Sequence, residues 1–285
     1  MILALIQEEG ISPILQTVLL IIFMLGMVAI VLSRFYVFFE EQYAMRMKRP
    51  FFVHFYLFKK TLNKSERRVL NQRFGFYQKL NHIQKKRFEH RVARFLSKKE
   101  FIGREGFIMT DESKVLIAAT ATMLTFGFRN YNIDLVETII VYPAAFYSHS
   151  NETYHKGELN PKLRALVLSW EDFVHGYDIA RDNLNLGIHE FTHAIHINSL
   201  QSTDVSALVF KKSFEELTDL LTAEQALRQK LIASKYFRPY AFTNHYEFLA
   251  VIVETFIETP DDFKQQFPRI YKKTKEMLNF TFADY

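Results

Sequence analysis

Cysteine is absent from all 285 residues, so disulfides, thiol redox chemistry and cysteine-based metal sites are excluded. Any zinc site must be built from His, Asp or Glu. No internal repeat, low-complexity stretch or recognisable nucleic-acid-binding module is present. Lys and Arg are missing from the first 33 residues and then crowd between Arg46 and Arg104, so the net charge of +5 is a local basic face rather than a basic protein. Tryptophan occurs once, as Trp170, and is read as packing. What remains is rich in apolar and aromatic side chains, enough for a sizeable core.

From Ile14 to Leu32 only Gln16 and Thr17 are polar. At roughly 1.5 Å per residue this run reaches about 28 Å, close to the hydrocarbon thickness of a bilayer. Glu8 and Glu9 precede it and Arg34 follows, the wrong flanks for a cleaved signal peptide, so an uncleaved membrane helix near 14–33 is expected. Arg34, Arg46, Lys48 and Arg49 lie after the helix and no cation lies before it. The positive-inside rule therefore predicts a single-pass protein of the cytoplasmic (inner) membrane, its N-terminus outside and the rest cytoplasmic. Three parts are expected: tail and membrane helix (1–43), a basic juxtamembrane helical region (44–100) and a globular domain (101–285). The basic helices are read as a solvated face, with attraction to anionic lipid as the first alternative and nucleic acid as a remoter one.

In the globular part DESKVLIAATATMLTFG predicts a core helix, ETIIVYP and RALVLSW predict strands, and the polar run between them reads as a surface loop. Tyr142, Pro143, His149 and His155 surround that loop and acquire no catalytic role. ALVLSW is read as an edge strand beside a cleft, with an ordinary core strand as the alternative. Helices are expected over 182–198, 213–234, 244–258 and 261–279, giving an α+β fold.

GIHEFTHAIH, residues 187–196, carries the chemistry. His189 and His193 are four apart, so on a helix both imidazoles face one point, and Glu190 falls beside it. In zinc hydrolysis such a carboxylate accepts a proton from a water acidified by the ion. His196 shares the face, but about 10 Å of helical rise separates it from His189, too far for bonds of about 2.1 Å to one ion. It is read as supporting or structural. The longer H-E-x-x-H-x-x-G-x-x-H pattern fails, because 196 is His and 199 is Ser. A third ligand must come from Glu215 with Asp219, or from Glu247 with Glu254. The second pair lines a stripe of an otherwise apolar helix, where a buried carboxylate requires a partner, and this favours Glu247 over Glu215. Glu254 is either a partner for a ligating histidine or a packing carboxylate.

FIGREGFIMTDESKVLIAATATMLTFG, IIVYPAAF, GEL…LVLSWEDF, N-L-x-x-G-I-HEFTHAIH, Y-A-x-x-N-x-x-EFLAVIVETF and FPRIY, in that order over about 101–275, resemble the zinc metallopeptidases of the MtfA (Mlc titration factor A) type. These are similar in their catalytic core to the anthrax lethal factor protease. The resemblance implies a zincin-like domain with a small mixed sheet, Zn2+ held by His189, His193 and Glu247, Glu190 as general base, and Tyr240 supporting the oxyanion of the tetrahedral intermediate. It implies hydrolysis of a peptide or protein substrate, with sequestration of a partner such as a transcriptional repressor as the alternative role. Two features depart from the type: His196 stands where relatives carry an acidic residue, and the N-terminal membrane helix is additional.

Overall fold

The computed structural model describes residues 12–148, 152–178, 181–283 and 285; His149, Glu8 and Glu9 lie outside them. Helix α1 (Pro13–Met47) opens on Pro13, with Ser12 Oγ accepting from Leu15 N at 3.3 Å. Every residue from Pro13 to Phe39 is exposed, and burial begins at Glu40. By length and composition this apolar, exposed stretch could cross a membrane.

The basic region forms three helices, α2 (Lys64–Arg73), α3 (Gly75–Lys79) and α4 (His82–Lys98). Asn63 with Glu66 and Asn81 with Gln84 close capping boxes that fix where α2 and α4 start. Helix α4 turns Phe88, Val92 and Phe95 inward. Those side chains share one continuous core with α5 (Asp111–Leu124), a helix buried on nearly every side.

Four strands make the main sheet, in the order β1 (Glu100–Gly103), β2 (Thr138–Tyr142), β6 (Ala165–Ser169), β5 (Gly157–Asn160). The first three are parallel, and β5 runs antiparallel to β6 with Gly157 opposite Leu168. The fold is thus mixed α+β with a small sheet. Two expectations are corrected. ALVLSW is an interior strand, and the edge strand beside the cleft is β5, β1 being the other edge; β6 is buried at four of its five positions, as a strand flanked on both sides must be. The polar run also does more than loop, since β3 (Phe146–Ser148) and β4 (Thr153–His155) form a hairpin and β5 follows at once.

Helix α6 (Trp170–Asp178) leads to α7 (Leu186–Gln201), which crosses the β5 side of the sheet. Then come α8 (Val205–Ala223), α9 (Gln225–Ala233), a 3-10 turn over Pro239–Phe242, α10 (His245–Glu258), α11 (Pro260–Gln266) and α12 (Pro268–Leu278). The helix expected over 213–234 is two, because Glu224 leaves helical dihedrals. The last is also two, because Pro268 has no N–H to continue α11. Trp170 stacks on Phe173, the packing role expected for it.

Candidate metal centre

Asn185 caps α7 through its Oδ1, which accepts from Ile188 N at 3.0 Å, and so sets the phase of the histidines. His189 and His193 then face the first turn of α10, where Asn244 caps the helix and Glu247 points back at them. His193 Nε2 lies 3.1 Å from His189 Nε2, and Glu247 Oε2 lies 2.9 Å and 3.5 Å from the two nitrogens. Ligand atoms bonded to one zinc at about 2.1 Å with tetrahedral angles stand roughly 3.4 Å apart, so this triangle has the size of a cation site.

The hydrogen bonding around it has the same sense. His189 Nδ1 lies 2.6 Å from Glu254 Oε1, so a proton on Nδ1 donates there and the Nε2 lone pair is turned toward Glu247. Glu247 Oε2 is buried and, despite its closeness to both rings, has no aligned donor. Lone pairs therefore face lone pairs unless a positive charge sits among them, and two imidazoles with one carboxylate are a fitting donor set for zinc. Burial opposes charge on His189, but Glu247 and Glu254 outweigh it and raise the ring to about 9. Burial also opposes charge on Glu247, and the two histidines hold that carboxyl well below the usual range.

Glu190 is buried one residue along α7, and burial pushes its carboxyl up. Its side chain lies against the backbone of Gly157: a β-carbon there would stand 2.6 Å from both Glu190 Cγ and Oε1. Tyr240, on the 3-10 turn, is half exposed; its ring centroid is 6.0 Å from that of His189. Burial and the nearby Glu247 carboxylate push its hydroxyl up to about 12. A cleft of about 550 Å³ opens here, with Tyr154, Gly157, Glu171, His175, Glu190 and Tyr240 among its walls.

Other expectations sort cleanly. Glu215 is turned toward solvent on α8, 3.4 Å from Lys212, and takes no part in the cluster. His196 is buried edge-on to Phe210, Phe214 and Tyr246, and burial lowers it to about 4, a structural setting. Tyr142 stacks on Phe146, the Pro143 carbonyl accepts from Glu171 N, and His155 lies in the cleft wall. Glu254, buried among apolar neighbours, is the partner of His189.

Sequence reasoning missed three residues. Arg238 forks onto Glu254 with Nη1 to Oε2 at 2.9 Å and Nη2 to Oε1 at 2.8 Å. The Asn185 backbone N–H also reaches Glu254 Oε2, at 2.9 Å. Gly157 makes room for Glu190. Asn185 carried a readable signal, an Asn just before a helical run; Arg238 and Gly157 carried none without their tertiary neighbours.

A helix-borne histidine pair facing a carboxylate of a second helix, beside a sheet edge, has the build of a metallopeptidase-like protein. The chain belongs to the glucose-regulated metallo-peptidase family M90, which matches residues 44–278. An uncharacterized protein of Synechocystis is 27% identical over 230 residues, covering 76% of this chain and 84% of its own. Mlc titration factor A of Yersinia pestis and that of Yersinia pseudotuberculosis are each 22% identical over 209 residues, 68% of this chain and 76% of theirs.

Proposed function

We propose that the chain is a membrane-anchored, zinc-dependent peptidase of zincin architecture, with His189, His193 and Glu247 as ligands and Glu190 and Tyr240 as catalytic residues. The observation that carries this reading is the convergence of three ligand-type atoms beside a buried glutamate at the wall of a cleft. When bound, the zinc ion would supply Lewis acidity toward a peptide carbonyl and a water. Glu190, its carboxyl already raised by burial, accepts the water proton and passes it to the departing amine. Tyr240, protonated at neutral pH, donates a hydrogen bond to the oxygen on which charge develops. Strand β5 ends the sheet, and a substrate backbone aligned along it would be held by main-chain hydrogen bonds.

The division into tail and anchor through 43, juxtamembrane helices over 44–100 and peptidase domain over 101–285 belongs to this proposal. So does the sidedness, with α1 crossing the cytoplasmic membrane once and the domain in the cytoplasm, as the charge bias supports. A second reading is favoured by the relatives named Mlc titration factor A: a tethered protein that sequesters a partner such as a transcriptional repressor.

The two are separated by assaying the full chain in detergent micelles on an unstructured protein substrate, wild type beside Glu190→Gln. A peptidase loses activity by roughly 10²- to 10⁴-fold with its metal content unchanged. Wild type that holds metal and hydrolyses nothing, or Glu190→Gln that is as active as wild type, contradicts the peptidase reading and favours sequestration.

A further inference from the structure

We infer that the loop after α1, residues 50–60, is a second membrane contact: a rigid aromatic platform that lies in the headgroup layer of an anionic bilayer and fixes how the domain stands on it. The inference rests on the proposed anchoring by α1.

The chain leaves α1 at Lys48, whose left-handed φ of 55° reverses its direction, and runs back alongside the helix. Phe51 packs between Tyr43, at 4.5 Å between ring centroids, and Tyr36, at 6.1 Å. The Arg129 guanidinium sits over Phe52 at 5.6 Å and also pairs with Glu40. These contacts set the start of the loop beside residues 36–43 of α1. Tyr36 is only about 6 Å of helical rise beyond Leu32, where the long apolar run ends, so the loop starts at the depth of the interface.

The loop is held from within. Arg91, fully buried on α4, donates to Val53 O at 3.1 Å and to Tyr56 Oη at 2.6 Å, and Lys60 N donates to His90 Nδ1 at 2.7 Å. Val53, His54 and Tyr56 are partly buried, while Phe55 is 69% exposed, Leu57 79% and Phe58 89%. Three such side chains on a pinned backbone, next to half-exposed Phe51 and Phe52, are a patch that a soluble surface rarely leaves open. The charges say what covers it. Between Glu41 and Glu66 there are six Lys or Arg and no acidic residue, so the rings are flanked by cations, the pairing that favours anionic headgroups over water or another protein's apolar face.

The chain's lack of cysteine makes the test direct. Phe55→Cys, Phe58→Cys, Ile22→Cys within α1 and Ile232→Cys on α9 are each made in the full chain, labelled with a polarity-sensitive fluorophore and reconstituted into phosphatidylcholine–phosphatidylglycerol vesicles. All four positions are more than half exposed, so folding is retained. Nitroxide carried by shallow lipid should quench the labels at 55 and 58 several-fold more than the label at 232. Quenching at 55 and 58 no greater than at 232, with the label at 22 strongly quenched by deep nitroxide, overturns the platform and leaves the anchor standing. A label at 22 that lipid does not quench overturns the anchor, and the platform with it.

Discussion

Glu254 lies outside the proposed ligand triangle, yet the triangle depends on it. Arg238 and the Asn185 N–H hold its two oxygens, and it in turn holds His189 by Nδ1, so the ring's other nitrogen is aimed before any ion arrives. Gly157 acts by having no side chain: the space a methyl group would fill is occupied by Glu190. On the proposed function, Gly157→Ala should lower peptide hydrolysis at least about 10²-fold with metal content preserved, because it displaces the proposed base and not the proposed ligands. Equal activity of the two proteins would show that Glu190 is not positioned by this contact. Glu258, on the same helix as Glu254, has both carboxylate oxygens buried without aligned donors, and burial raises it from 4.5 to about 7. The folded chain therefore holds that proton more tightly than the unfolded chain, and this group's contribution to stability falls as pH rises from about 4.5 to about 7. Glu258→Gln should gain up to about 3 kcal/mol in urea unfolding above pH 7 and nothing below about pH 4.5. A gain that is the same at both pH values would contradict this.

At the scale of elements, α5 and α7 form the centre of the domain, and Arg91 closes the end of α5. Its Nη1 donates to Thr125 O at 2.8 Å and Phe126 O at 3.0 Å, and its Nη2 to Phe128 O at 2.8 Å; Thr125 O also accepts from Phe128 N, while the other two carbonyls lie past the helix end. Arg91→Met should lower the unfolding free energy by about 3 kcal/mol or more, since buried carbonyls lose their donor. A thermal shift equivalent to less than about 0.5 kcal/mol would mean that water replaces the guanidinium. Such elements were unequally legible in sequence. Helices α5, α7 and α10 and strands β2 and β6 announce themselves through continuous apolar runs with cap residues. Strands β1, β3, β4 and β5 do not, being only three or four residues long, too short for an alternation to be read from sequence. Glu247 was legible because a carboxylate on an apolar stripe calls for a partner. Arg238 was not, since it reaches Glu254 from the irregular stretch between α9 and α10 and nothing local requires a cation there.

Across the whole molecule, α1 passes without a break from its exposed apolar length into contact with the domain. Glu40 pairs with Arg129, Arg129 with Asp204 at 3.2 Å, Lys48 with Glu216 at 2.6 Å, and Ala44 packs on Val205 and Val209. Asp204 caps α8 three residues after α7 ends, so helix and candidate metal centre belong to one packed assembly rather than to a body on a tether. On the proposed anchoring, the cleft then has a fixed attitude to the bilayer, and substrates are chosen partly by what can reach it. All of this turns on whether His189, His193 and Glu247 hold an ion. The direct measurement is the zinc content, by elemental analysis, of the folded full chain as wild type, Glu247→Ala and Glu215→Ala. One zinc per chain is expected for wild type and Glu215→Ala, with loss in Glu247→Ala; folded wild type without metal under zinc-replete conditions, or zinc retained by Glu247→Ala, would contradict the site.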